Sequence, residues 1–98
     1  VDLGRREVRR RGGLVPMTAH EYGLLAELAR QPDRVLTHRA LLQAVWGPGC
    51  ATETHYLRVY MGRLRRKLEG DPARPRHLVT ETGVGYRLRR DARERDRV

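Results

Sequence analysis

THYLRVYMGRLRRKLE (residues 54–69) divides into two unlike faces when wound on a helix at about 100° per residue. Leu57, Met61, Leu64 and Leu68 line one side, with Tyr60 on its edge. His55, Val59, Gly62, Arg63 and Arg66 line the other, flanked by Arg58, Arg65 and Lys67. One face is therefore dry, the other strongly cationic, and the acid Glu69 closes the run. A solvated helix face also accounts for such a charge run. Two details point further. The cations are nearly all arginine, whose planar fork matches phosphate and the guanine edge. Gly62 costs a helix about 0.8–1 kcal/mol relative to alanine, which makes sense where another surface must approach the backbone.

The rest of the composition agrees with a polyanionic partner. The chain has 98 residues, enough for one modest core. Net charge is +9 and the isoelectric point about 11.1, a level at which nucleic acid is a natural partner. A basic protein without such a partner has the same totals. Cys50 is the only cysteine, so no intrachain disulfide forms, which fits a reducing compartment. No apolar run is long enough to span a bilayer, and no signal peptide is visible. A cytoplasmic protein with no membrane partner is expected. The first residue is Val1 rather than Met, so the sequence is expected to be part of something longer.

Val1–Leu3, Glu7–Arg11 and Leu14–Met17 read as short strands, turned at Gly4 and at Gly12-Gly13. Thr18-Ala19-His20-Glu21 is a capping box opening a helix with Leu24, Leu25, Leu28 and Ala29 at helical spacing, ended by Pro32. Asp33-Arg34 turns into a small strand, Val35-Leu36. Thr37 then caps a second helix, His38–Trp46, with Leu41, Leu42, Val45 and Trp46 on its inner face. Gly47-Pro48-Gly49 stops it, and 47–53 is a loop into the basic helix, with Thr52 or Thr54 as its cap. Gly70–Arg76 holds two prolines and is irregular. His77–Glu81 and Val84–Arg89 form a closing hairpin about Thr82-Gly83, with Gly83 and Gly85 permitting its bend. Residues 91–98 alternate charge without apolar residues and read as a tail on a 1–90 domain.

The expected fold class is thus α+β. A short-stranded antiparallel sheet leads, three helices follow, and a C-terminal hairpin forms the wing of a winged helix-turn-helix. Such a fold lays its basic helix, here residues 54–69, in the major groove of double-stranded DNA. On this reading Arg63 faces outward and can offer two donors to guanine. Val59 suits a thymine methyl or is a stray surface valine. Arg65 and Arg66 suit phosphates, and His55 is a possible phosphate contact near the helix start. Trp46 packs its ring and needs an acceptor for its N–H.

Five motifs carry a specific resemblance. They are LVPMTAHEYGLL (14–25), RVLTHRALL (34–42), VWG (45–47), RLRRKLE (63–69) and GVGYR (83–87). In this order and spacing they resemble the effector domain of OmpR/PhoB-type response regulators. Residues 54–62 and 71–77 resemble the branch that regulates a high-affinity potassium-uptake (kdp) operon. The resemblance implies that Arg63 and Arg65 serve bases and phosphates, that the Trp46 indole meets a phosphate, and that Thr80 and Arg87 lie near the backbone in the wing. It implies that Gly47, Pro48, Gly49, Cys50, Ala51, Thr52 and Glu53 form a loop touching RNA polymerase. It also implies a receiver domain, absent from this sequence, phosphorylated by a cognate sensor histidine kinase, and a homodimer on DNA. Three positions depart: Gly62 stands where many members have Arg, Tyr60 where many have His, and Thr82 where many have the Arg that enters the minor groove.

Catalysis finds no support. His20, His38, His55 and His77 make no metal pair, no other ligand is spaced to complete a zinc site, and the chain has no serine. Gly83-Val84-Gly85-Tyr86 is not followed by a helix and is no phosphate loop. No catalytic residue, metal or cofactor is expected. The rival binding readings are a regulator of a different operon, a basic RNA-binding module, for which Tyr56 is the only good exposed stacking residue, and a winged helix that contacts only protein.

Overall fold

The computed structural model describes residues 7–10, 12–50 and 53–89. Expected elements at Val1–Leu3 and in the tail 91–98 lie outside the described residues. Strands β1 (Arg9–Arg10) and β2 (Gly13–Leu14) pair antiparallel, Arg9 opposite Leu14. Gly12 supplies the turn with φ +82°. The strands are shorter than expected. Val15 N–H still donates to Val8 O at 2.8 Å, but Pro16 has no N–H to continue the ladder.

Helix α1 (Ala19–Arg30) starts on the anticipated capping box. Glu21 N–H donates to Thr18 Oγ1 at 3.3 Å, and Thr18 N–H to Glu21 Oε1 at 2.9 Å. The helix stops two residues before Pro32, because a residue preceding proline is pushed out of the helical region. Strand β3 is Leu36–Thr37, one residue later than expected. Thr37 serves twice. It pairs with Gly85, and its hydroxyl accepts from Ala40 N–H at 3.1 Å to cap α2 (His38–Trp46). Its φ of −70° and ψ of 157° suit both tasks.

Gly47 ends α2 at φ +100°, and a 3-10 turn, Pro48–Cys50, follows. Helix α3 (Thr54–Leu68) buries Leu57, Met61 and Leu64 and half-buries Leu68 and Tyr60. Its N-cap is Glu53, without a side-chain cap bond. Thr54 is therefore the first helical residue rather than the cap, and Thr52 lies outside the described residues. At the other end Glu69 is 3% exposed. Its carboxylate accepts from the backbone N–H groups of Arg76 (3.0 Å), His77 (2.9 Å) and Leu78 (2.8 Å). One acid thus binds the return segment to the helix end.

Strands β4 (Leu78–Glu81) and β5 (Gly85–Leu88) form the wing, and β5 lies between β4 and β3 in an antiparallel sheet. The two wing glycines do different things. Gly83 turns at φ +77°. Gly85 is flat and instead admits β3, since a Cβ there would overlap Leu36 O and lie 2.9 Å from Thr37 Cα. Leu24, Leu25 and Leu28 of α1, Leu41 and Leu42 of α2, the α3 stripe, Leu78 and Tyr86 make one core. Burial of this set supplies the main driving force of folding.

Candidate nucleic-acid interface

Burying the leucine stripe of α3 forces its opposite side outward. His55, Arg58, Val59, Arg63 and Arg66 are exposed there, with Gly62 between them. No described residue accepts a hydrogen bond from the guanidinium of Arg58, Arg63 or Arg66. The Arg63 guanidinium lies over the Tyr60 ring, 4.7 Å from its centroid, a cation–π contact that leaves its N–H edges outward. Val59 is 48% exposed. A Cβ on Gly62 would meet only Arg66 Nη1, at 3.8 Å, so the helix surface there is open.

Two cations leave this face. Arg65 is half-buried and turned to the wing. Its Nε and Nη2 donate to Leu78 O at 3.1 and 2.9 Å, and Nη2 also donates to Thr80 Oγ1 at 2.7 Å. The expected base- or phosphate-contacting role therefore meets a guanidinium with most of its donors engaged. Lys67 reaches away from the face, to Glu21 Oε1 at 2.6 Å and Pro16 O at 2.9 Å. Burial pushes the Glu21 carboxyl up, but the Lys67 ammonium and the Thr18 bonds outweigh it and hold its pKa below the ordinary value.

Beside the face lies an aromatic cluster. Trp46 is half-buried, stacked 5.0 Å from His20 and set edgewise 5.2 Å from Tyr60. No described residue accepts from its indole N–H. Tyr56 stacks at 6.0 Å on Trp46, and His55 packs 4.4 Å from Tyr56 with Nδ1 3.5 Å from the Glu53 carboxylate. His20, expected only as a first-turn residue, joins this cluster through α1 packing that sequence spacing does not reveal.

The wing offers exposed Thr80, Thr82 and Val84. Val84 is 52% exposed at the hairpin tip; an apolar residue between Gly83 and Gly85 was the signal for it. Arg87 is half-buried, and its Nε donates to Glu81 Oε1 at 2.6 Å. The expected backbone contact by Arg87 therefore starts from an ion pair. In the loop, Pro48 and Gly49 are exposed, Gly47 and Glu53 partly so, while Ala51, Thr52 and the Cys50 side chain lie outside the described residues. Among the described residues no cluster of three or more His, Cys, Asp or Glu could hold a metal, and no helix is long and apolar enough to cross a membrane.

Residues 12–88 match the family described as transcriptional regulatory protein, C terminal. The chain is 55% identical over 88 residues to the KDP operon transcriptional regulatory protein KdpE of Escherichia coli strain K12, and 53% identical to KdpE of Mycobacterium tuberculosis. Those matches cover 90% of this chain and 39% of each relative, so the chain spans about two fifths of their length. Among solved structures, the Klebsiella pneumoniae RstA DNA-binding domain in complex with the RstA box superposes with a TM-score of 0.77 at 26% identity, covering 90% of this chain and 87% of that one. Thermotoga maritima DrrB, an OmpR/PhoB homologue, gives 0.77 at 29% identity, covering 86% of this chain and 38% of that one.

Proposed function

Because the chain belongs to the transcriptional regulatory protein C-terminal family, as an effector domain of the OmpR/PhoB response-regulator type, we propose that it binds double-stranded operator DNA through the outer face of α3. The domain is a regulatory module and not an enzyme. What carries the reading is the row of Arg58, Arg63 and Arg66, exposed and without described acceptors on either side of Gly62. Such a helix fits the major groove. Arg63 is the base reader, Val59 meets a thymine methyl, and Arg58, Arg66, His55 and the Trp46 indole take phosphates. Gly62 lets the helix backbone lie close. Thr80, Thr82 and Arg87 carry the wing along the backbone, Arg87 exchanging Glu81 for a phosphate.

The identity to the two KdpE proteins supports a potassium-uptake operon as the target. In the whole protein, a receiver phosphorylated by a sensor histidine kinase would pair two such domains on direct repeats. The loop 47–53 would meet RNA polymerase, since it carries no basic residue to hold a phosphate. A protection map on the promoter of a potassium-uptake operon tests the proposal. A footprint there that single-stranded competitor does not remove is the expected result. Protection absent there but present on another promoter moves the protein to a different operon, and competition by single-stranded RNA defeats the duplex reading.

A further inference from the structure

We propose that Arg65 is a positioning residue. It clamps the wing to α3 and aims the Thr80 hydroxyl proton at a DNA phosphate. This rests on the duplex-binding reading above. Strand β4 is the edge of its sheet. His77 O accepts from Arg89 N–H at 2.7 Å, and along an antiparallel pair the inward and outward residues alternate. Leu78 therefore presents its N–H and C=O to the open edge, where unpaired groups need cover. The end of α3 supplies both partners: Glu69 accepts the N–H at 2.8 Å, and Arg65 donates twice to the carbonyl. The Tyr86 ring, centred 5.9 Å from the guanidinium carbon, packs beside it.

The third bond has a directional consequence. A threonine hydroxyl has one proton to give and oxygen lone pairs to receive. Arg65 Nη2 occupies the oxygen of Thr80 at 2.7 Å. Arginine has no acceptor, so the hydroxyl proton is turned away from it. Thr80 is exposed, and an outward hydroxyl proton on a wing strand suits a phosphate oxygen. Lysine cannot reproduce the arrangement, since it lacks the rigid fork that spans two acceptors.

The experiment compares Arg65→Lys, Arg65→Met, Thr80→Val and the Arg65→Lys/Thr80→Val pair on a mixed-sequence duplex over a range of salt. Amide exchange across Leu78–Glu81 is followed without DNA. Arg65→Lys should lose roughly tenfold in affinity although its charge is kept, and Arg65→Met should lose no more. Thr80→Val should weaken the parent protein several-fold and add nothing to Arg65→Lys. Exchange at Leu78–Glu81 should quicken in both Arg65 variants. Parental affinity in Arg65→Lys overturns the proposal, as does a salt slope shallower by about 0.9 in Arg65→Met, the mark of a direct phosphate contact. Should the parent protein fail to bind any duplex, the functional reading fails instead. Exchange then decides the clamp, and unchanged protection in Arg65→Lys rejects it.

Discussion

Arg63 sits at the middle of the exposed face of α3 with its guanidinium propped on the Tyr60 ring and no described acceptor. Replacing it with alanine should cost operator binding about 1–3 kcal/mol and relax preference at one base pair. A panel of duplexes, each altered at one position, measures both. Equal weakening on every duplex would reduce Arg63 to a phosphate contact. Gly62 should respond in opposite directions to two substitutions. Gly62→Ala gains helix propensity at a site where a Cβ has room, so the free domain should gain up to about 1 kcal/mol in thermal or denaturant unfolding. Gly62→Leu should fold yet bind the operator much more weakly, and parental affinity in that variant would sink the close-approach reading. The faces of these residues were readable from 3.6-residue spacing alone. Those of Arg65 and Lys67 were not. Spacing placed them beside the cationic stripe, but long side chains reach whatever acceptor tertiary packing brings near, here Leu78 O and Glu21.

At the scale of elements, the loop between α2 and α3 has a separable prediction. Glu53→Ala should leave operator footprint and salt slope nearly unchanged while transcript yield falls. Both are measured on one promoter with purified polymerase. If footprint and transcript fall together, the loop only sets the angle of α3. His55 must be watched in that variant, because its Nδ1 lies 3.5 Å from the Glu53 carboxylate. Helices were the legible elements. The first two had a cap, a stripe and a stop signal, and Thr18 and Glu21, Thr37, and Gly47 all act where sequence placed them. Helix α3 was legible by its stripe, its start falling at Glu53 without a side-chain cap. Short strands were less so. Two-residue strands such as β2 and β3 carry no periodicity to read. Glu69 was invisible as a structural residue because its three partners are backbone N–H groups of residues 76–78, and backbone donors leave no trace in side-chain pattern.

For the whole molecule, the Glu21 carboxylate links α1 to α3 and makes stability depend on pH. Its folded pKa lies below the ordinary 4.5. The stabilisation is therefore complete above 4.5 and is lost as pH falls through the depressed folded value. Glu21→Gln should lose about 1–3 kcal/mol at neutral pH, and its deficit should shrink in acid, read from unfolding curves across pH 3–7. A deficit that is constant over that range would mean the ion pair with Lys67 contributes nothing. That contact has a further use. Lys67 is the sole lysine of the sequence, and its Nζ is occupied by Glu21 and Pro16. An amine-directed reagent can modify this side chain only after the ammonium lets go and sheds a proton. The rate of peptide-resolved labelling at Lys67 then reports how readily this side chain leaves its two oxygen partners.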